Sequence, residues 1–392
     1  MVSGWVVKTS LQGEEETMES LIEEVLGKEP AEASKKREGE IIIPQEKKGE
    51  DEDFGLDVKA AKIVVVGCGG AGNNAVTRLT EMGIQGASTV AINTDLKHLK
   101  ISRADKRILI GKQITRGLGA GGYPHVGKKA AEESLQELKA TLEGADMVYV
   151  VTGLGGGTGT GSAPVVSKLA RELGAIVIGF VTMPFKIEGS RMGKAEDGLY
   201  NLRQFADTVI VVENDKLLKI AGDMPLQKAF AVADGLVSTI IKGITETIAT
   251  PSLVNLDYAD VKTIMHSGGV AAVGMGESNT SSRAEEAVTK AMENPLLDIS
   301  YEGGRGALVH VTGGEDLKLE EVNLIGDRVS RQLDPDAQVI WGARIDPKFS
   351  NRIRVITIVT GVKSPFVLGP LEDEDKVKRE IVSSGLGIPM LR

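Results

Sequence analysis

From Lys62 onward, short apolar runs alternate with longer stretches in which apolar residues return every third or fourth position. The runs at 63–66, 89–92, 107–110, 147–151, 176–181 and 208–212 have the length of strands, and most are apolar throughout. They read as strands buried on both faces. With helical segments between most of them, one at 163–173, they predict an α/β fold built on a doubly wound parallel sheet. Residues 226–250 read as one long helix, with apolar residues at 226, 229, 230, 233, 236, 237, 240, 241, 244 and 248 and Pro251 beyond its end. A second, smaller α/β unit follows: strand-like runs at 269–273, 307–311, 338–341 and 353–359, and helices near 283–293 and 319–333.

The pattern divides the chain into an extension at 1–57, a first α/β domain at 58–225, a central helix at 226–250, a second domain at 251–368 and a tail at 369–392. The extension is mostly Glu, Lys, Gly and Ser and reads as largely disordered. Within it Met18, Leu21, Ile22, Val25 and Leu26 follow helical spacing, which predicts a short amphipathic helix that packs on its own domain, with docking on a partner or membrane surface as the alternative. The tail ends Gly387-Ile-Pro-Met-Leu-Arg392, an apolar terminus after a charged spacer that could dock on a partner or simply fray.

Composition changes the picture in three places. The net charge of −9 belongs to the extension, which holds 16 acidic and 7 basic residues, while the rest holds 39 of each. A balanced body offers no basic face for nucleic acid. Cys68 is the single cysteine, so no intrachain disulfide framework exists, and the four histidines have no metal-ligand spacing. Without a run of about 20 apolar residues or a signal-peptide core, the expectation is a cytoplasmic protein that does not span a membrane.

The candidate chemistry lies in glycines that follow strands. Six of the nine residues from Gly153 to Gly161 are glycine, between a buried strand and a helix. A turn of that kind aims unpaired N–H groups and the helix dipole at one point, which suits a phosphate. Thr158 and Thr160 add hydroxyls, and the absence of lysine separates the loop from the lysine-bearing phosphate loop. A second segment, Gly67-Cys-Gly-Gly-Ala-Gly72-Asn-Asn74, follows the first strand, with Asp95 23 residues beyond Gly72. Alone it matches the dinucleotide fingerprint. A third, Gly117-Leu-Gly-Ala-Gly-Gly122, follows the third strand. Three such loops on one sheet edge suggest a triphosphate held on several sides. Farther on, Asn255, Asp257 and Asp260 either polarise a water or hold a cation, or serve as turn and cap residues.

Together these segments resemble the tubulin/FtsZ family over residues 60–366. The carriers are Gly155-Gly156-Gly157-Thr158-Gly159-Thr160-Gly161, then Gly69-Gly70-Ala71-Gly72-Asn73-Asn74, the Asn-Thr-Asp ending at Asp95, and Ala120-Gly121-Gly122. Pro184, Glu188 and Arg191 resemble the ribose-side loop, although Glu188 and Arg191 stand one residue closer than is usual. Asn214 resembles the asparagine that meets guanine, and Phe230 and Asp234 the ring and carboxylate facing the base. Asn255, Asp257 and Asp260 resemble the loop that enters the next subunit's site. Pro251-Ser252 in place of Pro-Gly, with Tyr123 and His125 in place of Asn and Glu, leans towards an archaeal-type member.

The resemblance implies a GTPase that binds GTP or GDP with nucleotide-borne Mg²⁺, forms head-to-tail homopolymers and builds a ring at the division site. It also implies anchor or regulator proteins that meet the tail. One physical argument stands beside it. With Phe230 at the base, about 20 helical residues carry the chain some 30 Å before Pro251. The two aspartates would therefore serve a neighbour's nucleotide. A non-polymerising GTP-binding regulator, or a nicotinamide-dependent oxidoreductase built on Gly67–Gly72, remain the alternatives.

Overall fold

The computed structural model describes residues 61–215, 224–249, 253–254, 257–266, 269–293, 301 and 304–362. The acidic extension with its helix at 18–26, the Pro251-Ser252 step, Asn255 and the tail from 369 lie outside these residues.

The first unit contains β1 (Ile63–Cys68), β2 (Ala87–Asn93), β3 (Lys106–Leu109), β4 (Met147–Gly153), β5 (Ile176–Met183) and β6 (Thr208–Glu213). All pair in parallel, in the order β3-β2-β1-β4-β5-β6. In such a sheet the chain reverses its winding direction between β1 and β4, and the loops leaving those two strands diverge to open a crevice. Both major glycine loops leave from there. The second unit contributes β7 (Gly269–Ser278), β8 (Gly306–Gly313), β9 (Gln338–Ile345) and β10 (Ile353–Thr360). It continues the same sheet: β7 pairs in parallel with β6 through three residues, and β10 lies antiparallel between β7 and β8.

Helices cover both faces. On one side lie α1 (Gly69–Glu81), the 24-residue α8 (Leu226–Ala249) and α9 (Tyr258–His266). Their apolar residues Val76, Leu79, Val237, Ile240, Ile244 and Ile264 join one core with strand residues of both units, among them Ile63, Tyr149, Phe180, Leu308 and Ile356. On the other side lie α4 (Pro124–Glu133), α5 (Leu135–Leu142), α6 (Thr158–Glu172), α7 (Ser190–Arg203), α10 (Arg283–Met292) and α11 (Leu319–Ser330). The short helices α2 (Leu96–Ile101) and α3 (Lys112–Thr115) sit beside β2 and β3. At about 1.5 Å per residue, α8 runs some 36 Å and underlies both units. Lys242 Nζ ties it to the Met82 carbonyl at the end of α1 (2.7 Å), and Glu246 binds Arg344 of β9 (2.7 Å).

Two boundaries differ most from the periodicity reading. The helix expected at 163–173 begins at Thr158, so half of the glycine run is its first turn. The strand expected at 269–273 runs on to Ser278, because Gly274 and Gly276 look like breakers in sequence and act as contact points in space. A Cβ at Gly274 would lie 1.8 Å from the Ala291 carbonyl oxygen, and one at Gly276 2.1 Å from that of Ala287. Helix α10 rests directly on this strand, and only glycine leaves room for it.

Candidate functional site

A cavity of about 820 Å³ opens across the carboxyl ends of the strands from β2 to β6. Its centre is where α1 and α6 begin. Gly69 has φ +73° and sits so close to α6 that a Cβ would lie 2.8 Å from the Gly159 amide nitrogen. A Cβ at Gly72 would lie 2.2 Å from the Val151 carbonyl oxygen, which explains a glycine where α1 meets β4. The two helix N-termini therefore converge, with Gly70, Ala71 and Asn74 on one side and Gly156, Gly157, Thr158 and Gly159 on the other. Thr158 Oγ1 lies 2.6 Å from Thr94 Oγ1 after β2, linking a third strand end to the cradle. Amides at two helix starts that converge on one cavity suit an anion without a lysine.

Beyond the cradle, the β5 side of the cavity is lined by Pro184, Phe185, Glu188 and Arg191. Arg191 pairs with Glu188 Oε2 (2.5 Å), and Glu188 Oε1 accepts the Phe185 amide (3.0 Å). The cavity closes with Asn214 after β6 and with Phe230 and Asp234 on α8. Phe230 stands edge-on to Phe185 at 5.8 Å between centroids. Asp234 is half-buried, and burial pushes its carboxyl up to about 7 against the opposing charge of Arg78. An aromatic ring with a carboxylate and an amide beside it suits a base with N–H donors.

Other candidates shape the cavity without lining it. Asn73 is fully buried. With its amide oriented to suit its neighbours it donates to the Gly67 carbonyl (2.7 Å) and accepts from Asn93 (3.3 Å). Asp95 caps α2, accepting from the Lys97 and His98 amides (2.8 and 3.1 Å). The third loop lies behind the cradle: a Cβ at Gly157 would lie 2.9 Å from the Ala120 Cβ and 3.1 Å from the Gly122 amide nitrogen. Gly121 has φ +60°, and the Gly122 carbonyl accepts from Lys194 Nζ (2.9 Å). Gly155 packs on the Arg191 backbone, while Gly161 lies under α4 and Thr160 is buried beside Gly198. His98 and Thr182 line the cavity although neither is a candidate site residue from sequence, and so does Phe185 of the Met183-Pro184-Phe185 segment that resembles the ribose-side loop. Phe185 follows Pro184 directly, but nothing local marks His98.

Asp257 and Asp260 lie at the opposite edge of the sheet. Each caps the other: the Asp260 amide donates to Asp257 Oδ1 (2.7 Å) and the Asp257 amide to Asp260 Oδ2 (3.3 Å). Between them, Tyr258 Oη donates to the Asp146 carbonyl (2.7 Å), just before β4 begins. The glycine cradle leaves the other end of that seven-residue strand. At about 3.3 Å per residue, some 23 Å of β4 separates the carboxylates from the cradle. Among the described residues no group of three or more His, Cys, Asp or Glu could hold a metal ion, and no helix is long and apolar enough to cross a membrane.

Residues 62–222 match the Tubulin/FtsZ family, GTPase domain, and residues 269–363 match the FtsZ family, C-terminal domain. The chain is 56% identical over 312 residues to cell division protein FtsZ 2 of Methanocaldococcus jannaschii, covering 79% of this chain and 82% of that protein. It is 49% identical over 354 residues to cell division protein FtsZ 1 of Archaeoglobus fulgidus, covering 90% and 95%. Among solved structures, an FtsZ dimer from M. jannaschii superposes with a TM-score of 0.75 at 49% identity, over 80% of this chain and 95% of that one.

Proposed function

The chain belongs to the FtsZ family of cell-division proteins, with a tubulin-like GTPase domain, and from that premise we propose that it hydrolyses GTP only where two copies meet head to tail. The base lies against Phe230 with Asn214 and Asp234 at its edge, and the ribose beside Pro184, Glu188 and Arg191. The phosphates rest on the cradle of α1 and α6. Mg²⁺, borne by the nucleotide, would share the charge of the phosphates. Binding and positioning are the cavity's contribution. Asn255, Asp257 and Asp260 of the next copy orient the attacking water, with charge stabilisation and alignment supplying the rate.

The observation that carries this reading is the length of β4 between cradle and carboxylates. A single copy holds the two halves on opposite edges of one rigid sheet, some 23 Å apart. A second copy stacked on the first brings one edge against the other. Such a contact is heterologous and builds a filament unless it closes into a ring. The division ring, the cytoplasmic location at the division site and an anchor protein on the tail follow as further parts of the proposal.

Turnover per molecule measured against protein concentration tests it. The expected result is a rise with concentration, and a flat profile argues for hydrolysis within one copy. Asp260→Ala keeps GTP binding within about twofold and loses turnover by a hundredfold or more; full turnover in this variant removes the carboxylate from the mechanism.

A further inference from the structure

The titratable side chains lining the cavity are His98, Glu188, Arg191 and Asp234, and the reading above leaves His98 without a part. We infer that His98 binds the terminal phosphate of the nucleotide and so separates the triphosphate from the diphosphate. The inference rests on the proposed GTP site and adds a contact to it.

Strand order gives the position. The cavity crosses the ends of β2, β1, β4, β5 and β6 in that spatial sequence. Asn214 follows β6 at one extreme, the cradle occupies β1 and β4, and His98 on α2 follows β2 at the other. Neighbouring strands lie about 4.8 Å apart, so His98 stands some 19 Å from the base end and one strand beyond the cradle. With the base at β6 and the chain of phosphates crossing the cradle, the outermost phosphate points at β2. The side chain is close enough to meet it: Nε2 is the nearest atom to the open side of Gly70, 3.8 Å from where a Cβ would stand.

Two side chains face the ring at Nδ1. Asn93 Oδ1 accepts the Asp95 amide at 3.2 Å, which turns the Asn93 NH₂ towards His98 Nδ1 at 3.5 Å. Ser102 Oγ, also 3.5 Å from Nδ1, donates its hydrogen to the His98 carbonyl at 2.9 Å. Asn93 suits an Nδ1 that accepts, and Ser102 Oγ, its own hydrogen already given, suits an Nδ1 that donates; a phosphate facing Nε2 selects a form with the hydrogen there. Arg191, the other basic group on the wall, is engaged by Glu188 on the β5 side. His98 is therefore the basic side chain left at the phosphate end, beside Asn74 and the backbone amides of the cradle.

Calorimetric titration of the full chain, kept below its assembly concentration, with GDP and with a non-hydrolysable GTP analogue tests the assignment. For His98→Ala the analogue binds about tenfold more weakly while GDP changes less than twofold, the loss expected of one hydrogen bond to a charged group. His98→Gln, which keeps an N–H donor, recovers most of the difference. Equal losses for both nucleotides, or none for either, overturn the inference and leave the GTP site standing. Failure of the unsubstituted chain to bind either nucleotide overturns the site itself, and the inference with it.

Discussion

Burial raises the Asp234 carboxyl from its ordinary 3.8 to about 7, with the Arg78 guanidinium pulling the other way. A guanine edge offers two N–H donors and so selects the carboxylate over the acid. Binding then releases a proton wherever the free group is protonated, and affinity falls as pH drops through 7. We expect roughly tenfold weaker GTP binding at pH 6 than at pH 8, by calorimetry, and a flat profile for Asp234→Asn. A profile indifferent to the substitution would place the base elsewhere. The sign for the unliganded fold runs the other way. A carboxyl raised above its unfolded value holds its proton in the folded state, so ionisation between about pH 4 and pH 7 costs stability until a ligand meets the charge.

At the scale of elements, β4 and β7 do most to set the geometry. β4 presents the cradle at one end and accepts the Tyr258 hydroxyl at the residue before its other end, so its length is the distance the mechanism has to bridge. Tyr258 itself is raised above the ordinary phenol value, by burial first and by Asp146 and Asp207 next, and so stays a donor to the Asp146 carbonyl. β7 carries the second unit onto the sheet and α10 onto β7. Gly274→Ala places a methyl 1.8 Å from the Ala291 carbonyl oxygen, which forces helix and strand apart. Overpacking of that kind costs about 3 kcal/mol, visible as a lower denaturant midpoint. An unchanged midpoint would mean that α10 is not seated on the strand.

For the whole molecule, the expectation is two incomplete halves that become one site between copies. Asp260→Ala has a sound cavity and a defective opposite edge. Gly156→Trp is its complement, because Gly156 lines the cavity and its Cβ position meets nothing within 4 Å. Each variant alone turns over no GTP. Mixed one to one, about a quarter of random head-to-tail contacts join a sound cavity to sound carboxylates. Turnover should reappear at about that fraction of the unsubstituted rate, and a silent mixture would speak for catalysis in cis.

Strand and helix identities, the long central helix and the places of the glycine loops were legible in residues 62–360, because each depends on neighbours within a turn or a strand length. The glycine run at 153–161 stands between a buried apolar run and a helix whatever the rest of the chain does. The fingerprint at Gly67–Gly72 copied a dinucleotide site for a reason the strand order supplies: in both cases a phosphate loop leaves β1 at the switch point. Gly274 and Gly276 misled, since a glycine that breaks a strand and one that admits a helix look the same along the chain. Asn73 and Asp95 look like ligands in the motif, and the fold also uses them as a buried brace and a helix cap. His98 carries no mark at all, because its value lies in standing one strand beyond the cradle. Local chemistry along the chain therefore determined which residues are candidates to meet a phosphate or a base. Only the tertiary structure decided which of them meet, which way a ring nitrogen points and that the aspartates face away, since pairing between distant strands is what brings loops to one edge or sets them on two.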